Sequence, residues 1–217
     1  MTIVTCNKPV LVIIKFKITG TLAFLSHIET MRLFQRACVR ADIPLRYSQG
    51  FNPRPKLSLP LPRTVAVESY DDILCIYLDP SNENIDIEKL KKDITKQLPE
   101  ECEILEIKLT TEKTSFVPKA VTYLLPVKTK YLDDQLKNRA KEIMKKDTIV
   151  LQRTAKLKPR NVEVRKYLES IDFKNQNVIV NCNIKTTGAI RVDEILNLLE
   201  LDHEKLNAPI ARQSVQW

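Results

Sequence analysis

Val10-Leu11-Val12-Ile13-Ile14-Lys15-Phe16-Lys17-Ile18-Thr19-Gly20, followed by Ser26-His27-Ile28-Glu29, is the stretch on which the fold class turns. From residue 14 apolar and basic side chains alternate. Ile14, Phe16 and Ile18 then share one face and Lys15 and Lys17 the other, as in a half-buried strand. The lysines also interrupt the apolar run well short of a membrane span. Gly20 ends the strand. Ser26 stands three residues before Glu29, the spacing of a capping box, so a helix is expected over residues 27–41. Ile28, Met31, Phe34, Cys38 and Ala41 would form its buried face, and Pro44 its stop.

Outward from there, residues 56–61 and 73–78 read as strands joined by a Pro-rich, then acidic, turn. Residues 85–98 read as a helix closed by Pro99, and 102–109 as a strand. That order is β-α-β-β-α-β, the ferredoxin-like arrangement. Residues 110–118 look like a linker, after which a similar order recurs. Strands are expected at 121–128, 148–154, 177–184 and 210–215, and helices at 131–144 and 191–201. The first of these helices would bury Leu132, Leu136, Ala140 and Ile143. Residues 162–173 fit either an edge strand or a short helix. The expected fold is α+β, with two tandem ferredoxin-like halves over residues 1–112 and 118–217.

The formal net charge is +8 and the isoelectric point about 9.2, a balance that suits anionic partners such as RNA, DNA or acidic protein surfaces, or else a merely solvated basic surface. The five cysteines, Cys6, Cys38, Cys75, Cys102 and Cys182, are dispersed without CxxC spacing. They read as reduced core thiols of a cytoplasmic protein, with no metal site. No signal peptide and no membrane segment are expected. Without a phosphate-binding Gly-rich loop, GxGxxG or HExxH, nucleotide hydrolysis and metalloprotease chemistry are disfavoured.

The chemistry concentrates in Tyr47-Ser48-Gln49-Gly50-Phe51-Asn52-Pro53-Arg54-Pro55-Lys56-Leu57-Ser58 and the helix before it. Arg32, Arg36 and Arg40 are spaced to share one helical face. Between residues 32 and 63 the basic residues are Arg32, Arg36, Arg40, Arg46, Arg54, Lys56 and Arg63, against the single acid Asp42. Guanidinium forks suit phosphate, and Tyr47 and Phe51 offer rings to unpaired bases. Gln49 and Asn52 flank Gly50 with donors and acceptors that either read a ligand or close the turn. The opposing interpretation pairs the arginines with Glu68, Asp71 and Asp72. His27, in a first helical turn beside Ser26, has the placement of a general acid–base residue, or of a histidine that hydrogen-bonds locally around Gly50. His203 reads as a surface residue. A second basic cluster, Arg153, Lys156, Lys158, Arg160, Arg165 and Lys166, extends a phosphate groove or forms a solvated face. Gly188 before Arg191 either frees an amide for an anion or makes a turn.

Lys17-Ile18-Thr19-Gly20-Thr21-Leu22-Ala23-Phe24-Leu25-Ser26-His27 resembles the opening motif of the radical SAM-linked domain of unknown function. Met31-Arg32-Leu33-Phe34-Gln35-Arg36-Ala37, Ile43-Pro44-Leu45 and Ser48-Gln49-Gly50-Phe51-Asn52-Pro53-Arg54-Pro55 resemble its most specific stretch. Gly188-Ala189-Ile190-Arg191-Val192-Asp193-Glu194-Ile195-Leu196 resembles its C-terminal motif, with Val192 where the family usually has proline. The likeness covers nearly the whole chain and includes all three glycines. It implies a domain fused to, or encoded near, B12-type radical SAM proteins, with no settled reaction. The chain lacks CxxxCxxC, so a catalytic cluster would have to come from another polypeptide, and no cofactor is expected here.

The chain is therefore expected to be a non-catalytic RNA-binding or substrate-presenting module that works beside a radical SAM protein in RNA modification. Phosphate would be held by Arg32, Arg36, Arg40, Arg54 and Lys56. Two alternatives stand beside it: a metal-independent endoribonuclease using His27, and a module whose arginines dock an acidic partner protein. Paired ferredoxin-like domains with a histidine near the first helix are also similar, at fold level alone, to CRISPR repeat-processing endoribonucleases.

Overall fold

The computed structural model describes residues 10–79, 85–111, 115–154 and 159–217. The chain divides into two compact units, the first ending at Val117 and the second beginning at Pro118. Both are α+β. Among the described residues no helix is long and apolar enough to cross a membrane.

The first unit opens with β1 (Leu11–Ile18), a 3-10 turn (Gly20–Phe24) and α1 (His27–Arg40). It continues with β2 (Leu57–Ser58), β3 (Val67–Tyr77), α2 (Ile87–Thr95) and β4 (Cys102–Thr110). The sheet runs β4-β1-β3 with β2 on β3, and every pairing is antiparallel. Val12, Ile14, Phe16 and Ile18 are buried, as their alternation predicts, and pack in one core with Phe34, Cys38, Leu90 and Ile94 of the two helices. The Phe16 and Phe34 rings meet edge to face with centroids 4.6 Å apart.

The capping box forms: the Ser26 hydroxyl accepts from the Glu29 N–H, and the Glu29 carboxylate accepts from the Ser26 N–H at 2.8 Å. The helix ends before Pro44. The Asp42 N–H donates to Val39 O and the Ile43 N–H to Cys38 O, with Asp42 left-handed at φ 51°. This is a Schellman ending with Asp where Gly is usual. Ile28 is not on the buried face: it is 61% exposed, because Thr30, Phe34, Ala37 and Cys38 set the inward direction, and Ile28 lies about 200° of helical rotation from Thr30.

The expected strand at residues 56–61 shrinks to Leu57–Ser58, since Pro55, Pro60 and Pro62 supply no N–H for a ladder. The acidic "turn" before residue 73 is instead the first half of β3. One of its acids meets a lysine of β1, Asp71 pairing with Lys15 at 2.8 Å, while Lys17 lies over the Tyr70 ring and bonds Glu103 of β4 at 3.3 Å.

The second unit comprises β5 (Ala120–Pro126), α3 (Asp134–Lys145), β6 (Val150–Arg153) and β7 (Arg160–Glu163). It continues with β8 (Leu168–Lys174), β9 (Asn177–Asn183), α4 (Val192–Leu198) and β10 (Ile210–Gln216). Its sheet runs β10-β5-β9-β8, while β6 and β7 form a separate two-stranded sheet among the described residues. The expected sheet strand at residues 148–154 therefore lies in a separate hairpin, and β8 takes the edge position from the undecided segment 162–173. The alternation that identifies a sheet strand buries side chains in β9, at Val178, Val180 and Cys182, whereas β6 has none fully buried.

The β8–β9 hairpin turns on Asn175 and Gln176, both left-handed at φ 49° and 61°. Two successive positive φ angles in a two-residue loop define a type I′ turn, which favours Gly at the second place. Gln176→Gly is expected to raise stability by about 0.5–1 kcal/mol, as a higher midpoint in urea unfolding followed by Trp217 fluorescence. A lowered midpoint would refute the assignment.

Candidate nucleic-acid interface

Between α1 and β3 the chain folds back as a narrow hairpin. Leu45 bridges Leu78, and Tyr47 bridges Pro55. The Arg46 N–H donates to Tyr77 O and the Lys56 N–H to Arg46 O, both at 2.8 Å, and the Tyr77 N–H donates to Lys56 O at 3.0 Å. Both arms are thus tied to the end of β3. Nearer the tip the Ser48 N–H donates to Arg54 O, and the Arg54 N–H donates back to the Ser48 hydroxyl at 2.9 Å. Ser48, rather than Asn52, closes the turn. Gln49, Gly50, Phe51, Asn52 and Pro53 form an exposed tip, with Gly50 at φ 137°, a conformation side chains rarely adopt.

Phe51 is fully exposed at 106% and Tyr47 is 45% exposed. Arg54 is exposed, and Arg46 and Lys56 are half-exposed. Arg32 and Arg36 lie exposed on α1, four residues apart and so on one helical face. The acids that would neutralise these cations are engaged elsewhere. Glu68 accepts from the Gly20 N–H at 2.9 Å and the Tyr70 hydroxyl at 3.0 Å. Asp71 pairs with Lys15, and Asp72 with the buried Arg63. Among the described residues Arg32, Arg36, Arg46, Arg54 and Lys56 make no ion pair. Glu29 is held below the usual carboxylate range chiefly by its Ser26 hydrogen bonds, with a smaller contribution from Arg32.

Arg40 departs from this group. Its Nη2 donates to the Gln97 carbonyl at 2.7 Å and its Nε to Gln97 Oε1, fastening α1 to the end of α2. Arg63 is a core residue. His27 heads α1 half-exposed, with Nδ1 buried and without a hydrogen-bond partner among the described residues. The adjacent Ser26 hydroxyl is committed to the capping box.

In the second unit Arg191 is exposed at the head of α4, with its N–H donated to Glu194 at 2.8 Å. Gly188 closes a tight turn in which it and Lys185 exchange backbone hydrogen bonds, so its amide is occupied. Arg153 and Arg165 of the second basic cluster are internal fasteners rather than a solvated run. Arg153 grips the Glu194 carboxylate, and Arg165 donates to Met144 O and Leu168 O. Arg160 is exposed, and Lys166 lies over the Tyr167 ring. Lys156, Lys158 and Cys6 lie outside the described residues. His203 is exposed.

Cys38, Cys75, Cys102 and Cys182 are free, buried thiols, and burial pushes them up to about 12, 11, 12 and 12. Among the described residues no group of three or more His, Cys, Asp or Glu side chains is placed to hold a metal. The exposed apolar residues Phe24, Ile28 and Val65 escaped the sequence reading; the signal was Ile28 falling two positions before the true core row.

Residues 12–197 match a sequence family described as an uncharacterized protein conserved in bacteria (DUF2344). No curated protein matches the chain.

Proposed function

The chain belongs to the DUF2344 family, and from that membership and the hairpin geometry we propose that it is an RNA-binding, substrate-presenting module without catalytic activity of its own. One observation carries the proposal: a hairpin tied at its base, whose cations have no acid partner among the described residues, holds a phenylalanine wholly in solvent. Phosphates are captured by Arg32, Arg36, Arg46, Arg54 and Lys56, while Phe51 and Tyr47 stack on unpaired bases. The strand orders β4-β1-β3-β2 and β10-β5-β9-β8 support two tandem ferredoxin-like halves as its frame. The resemblance to radical SAM-linked domains supplies the enzyme beside which it works, in the modification of RNA.

Arg36→Ala combined with Arg54→Ala is expected to leave the fold intact and weaken binding to a single-stranded RNA. It should also flatten the slope of log affinity against log salt by about 1.4, roughly 0.7 for each phosphate contact removed. An unchanged affinity and slope would refute the proposal. The same RNA incubated in chelator tests the rival: cleavage abolished by His27→Ala would make the chain a nuclease.

A further inference from the structure

We infer that the corner where the 3-10 turn meets α1 docks an acidic, apolar segment of a partner protein. Phe24, Ile28 and Val65 are 67%, 61% and 52% exposed. Phe24 closes the 3-10 turn, and Ile28 follows four residues later in the first turn of α1. Val65 precedes Ala66, whose N–H donates at 2.9 Å to the carbonyl of Ala23, the residue before Phe24. The three apolar side chains therefore border one junction.

The junction is rigidly built. The Thr21 and Leu22 N–H groups and the Thr21 hydroxyl all donate to the Glu101 carboxylate, and the Gly20 N–H donates to Glu68. Glu101 is held below the usual carboxylate range first by the Thr21 hydroxyl and then by these N–H groups. Gly20 suits the place: its φ is 60°, which strains other residues, and a Cβ would displace the Glu101 carboxylate from its bonds. Ala66 is held at φ 62°, a conformation that persists only where surroundings enforce it. The capping box fixes the first turn of α1 from the other side. Exposure of three large apolar groups on so firmly held a corner marks an interaction surface rather than a loose loop.

Charge selects the partner. Arg32 and Arg36 follow Ile28 at four and eight residues, on the same helical face, and neither has an ion pair among the described residues. The acids at the corner are already engaged: Glu29 turns its carboxylate back onto the Ser26 N–H, and Glu68 and Glu101 accept from the 3-10 turn. A segment that covers Ile28 and Val65 must bring aliphatic side chains, which nucleic acid lacks, and carboxylates to meet the arginines. This surface shares Arg32 and Arg36 with the proposed RNA site, so the segment and RNA compete for those two arginines, whereas Phe24, Ile28 and Val65 serve the segment alone and the hairpin tip supplies the stacking rings.

The test is a selection of random displayed peptides on the full chain, with counter-selection on Phe24→Ser/Ile28→Ser. Enriched peptides are expected to combine Asp or Glu with Leu, Ile, Phe or Met. Synthetic versions should bind about tenfold or more weakly to Phe24→Ser/Ile28→Ser and to Arg32→Glu/Arg36→Glu. RNA affinity of Phe24→Ser/Ile28→Ser should be unchanged, which separates this surface from the hairpin. Val65→Ser provides a second apolar variant should the double variant fold poorly. No enrichment, peptides without acids, or equal binding to the variants would overturn the inference. So would a dimer in sedimentation that Phe24→Ser/Ile28→Ser dissolves, because the patch would then belong to a second copy of the chain.

Discussion

Asp72→Ala is expected to cost the first unit about 3–5 kcal/mol, the largest effect of any single substitution considered for the protein. Asp72 and Arg63 form an ion pair at 3.2 Å with side chains only 3% and 0% exposed. Arg63 also donates to Val67 O at 3.1 Å, so the buried guanidinium is held at the start of β3. Removing the carboxylate takes the ion-pair partner from a guanidinium that is fully buried. The cost is that of a buried charge losing its partner, not the net worth of the pair. The double variant Arg63→Met/Asp72→Leu should therefore recover most of the loss. Far-UV circular dichroism during urea unfolding, with hydrogen exchange at β1 and β3 amides, reads both outcomes. Wild-type stability in Asp72→Ala, or a double variant worse than the single, would refute the account.

The second large effect is expected at Glu194. Its carboxylate accepts from Arg153 Nε at 2.6 Å, Arg153 Nη2 at 2.7 Å and the Arg191 N–H at 2.8 Å. Arg153 also donates to Ala189 O, so one bidentate pair joins the β6–β7 hairpin to the head of α4. Glu194→Ala should destabilise the second unit by about 2–3 kcal/mol, less than a sealed pair because Arg153 keeps 17% exposure. Trp217 is the sole tryptophan and lies in the second unit, so its fluorescence follows that unit's unfolding. Burial works to raise the Glu194 pKa, but the Arg153 hydrogen bonds, the Arg191 N–H and the charges of both arginines outweigh it and hold the carboxyl below its ordinary range. A carboxyl depressed in the folded state contributes stability that is complete above its unfolded value, here 4.5, and is lost as pH falls through the lower folded value. Glu194→Gln should remove this acid-side loss, leaving a flatter stability profile below pH 4.5 than the wild type. An identical profile in the two proteins would show that the carboxylate is not the group responsible.

Where one side chain sees one neighbour, sequence predicts structure here. The alternation of β1 and the Ser26–Glu29 box are such local signals, and both are realised. Distant partners were illegible. The acids of residues 68–72 read as a turn because nothing local reveals their partners, Gly20 for Glu68, Lys15 of β1 for Asp71 and the buried Arg63 for Asp72. Arg40 and Arg153 read as free charges because Gln97 and Glu194 lie 57 and 41 residues away. Ending α1 took a backbone conformation that Asp adopts only occasionally, so proline was the visible stop and not the operative one. At the hairpin, the arginines and aromatics were visible as residue types, but that Glu68, Asp71 and Asp72 are engaged elsewhere was not.

The hairpin is anchored through backbone hydrogen bonds at Arg46, Lys56 and Tyr77, so its position hardly depends on which side chains occupy the tip. A Cβ built on Gly50 meets nothing within 4 Å, and Phe51 is wholly exposed. Natural variation at Gln49, Phe51 and Asn52 would therefore escape folding constraint and be screened by whatever they bind. In evolutionary terms the loop is an interchangeable tool head on a fixed handle, able to change specificity without renegotiating the core.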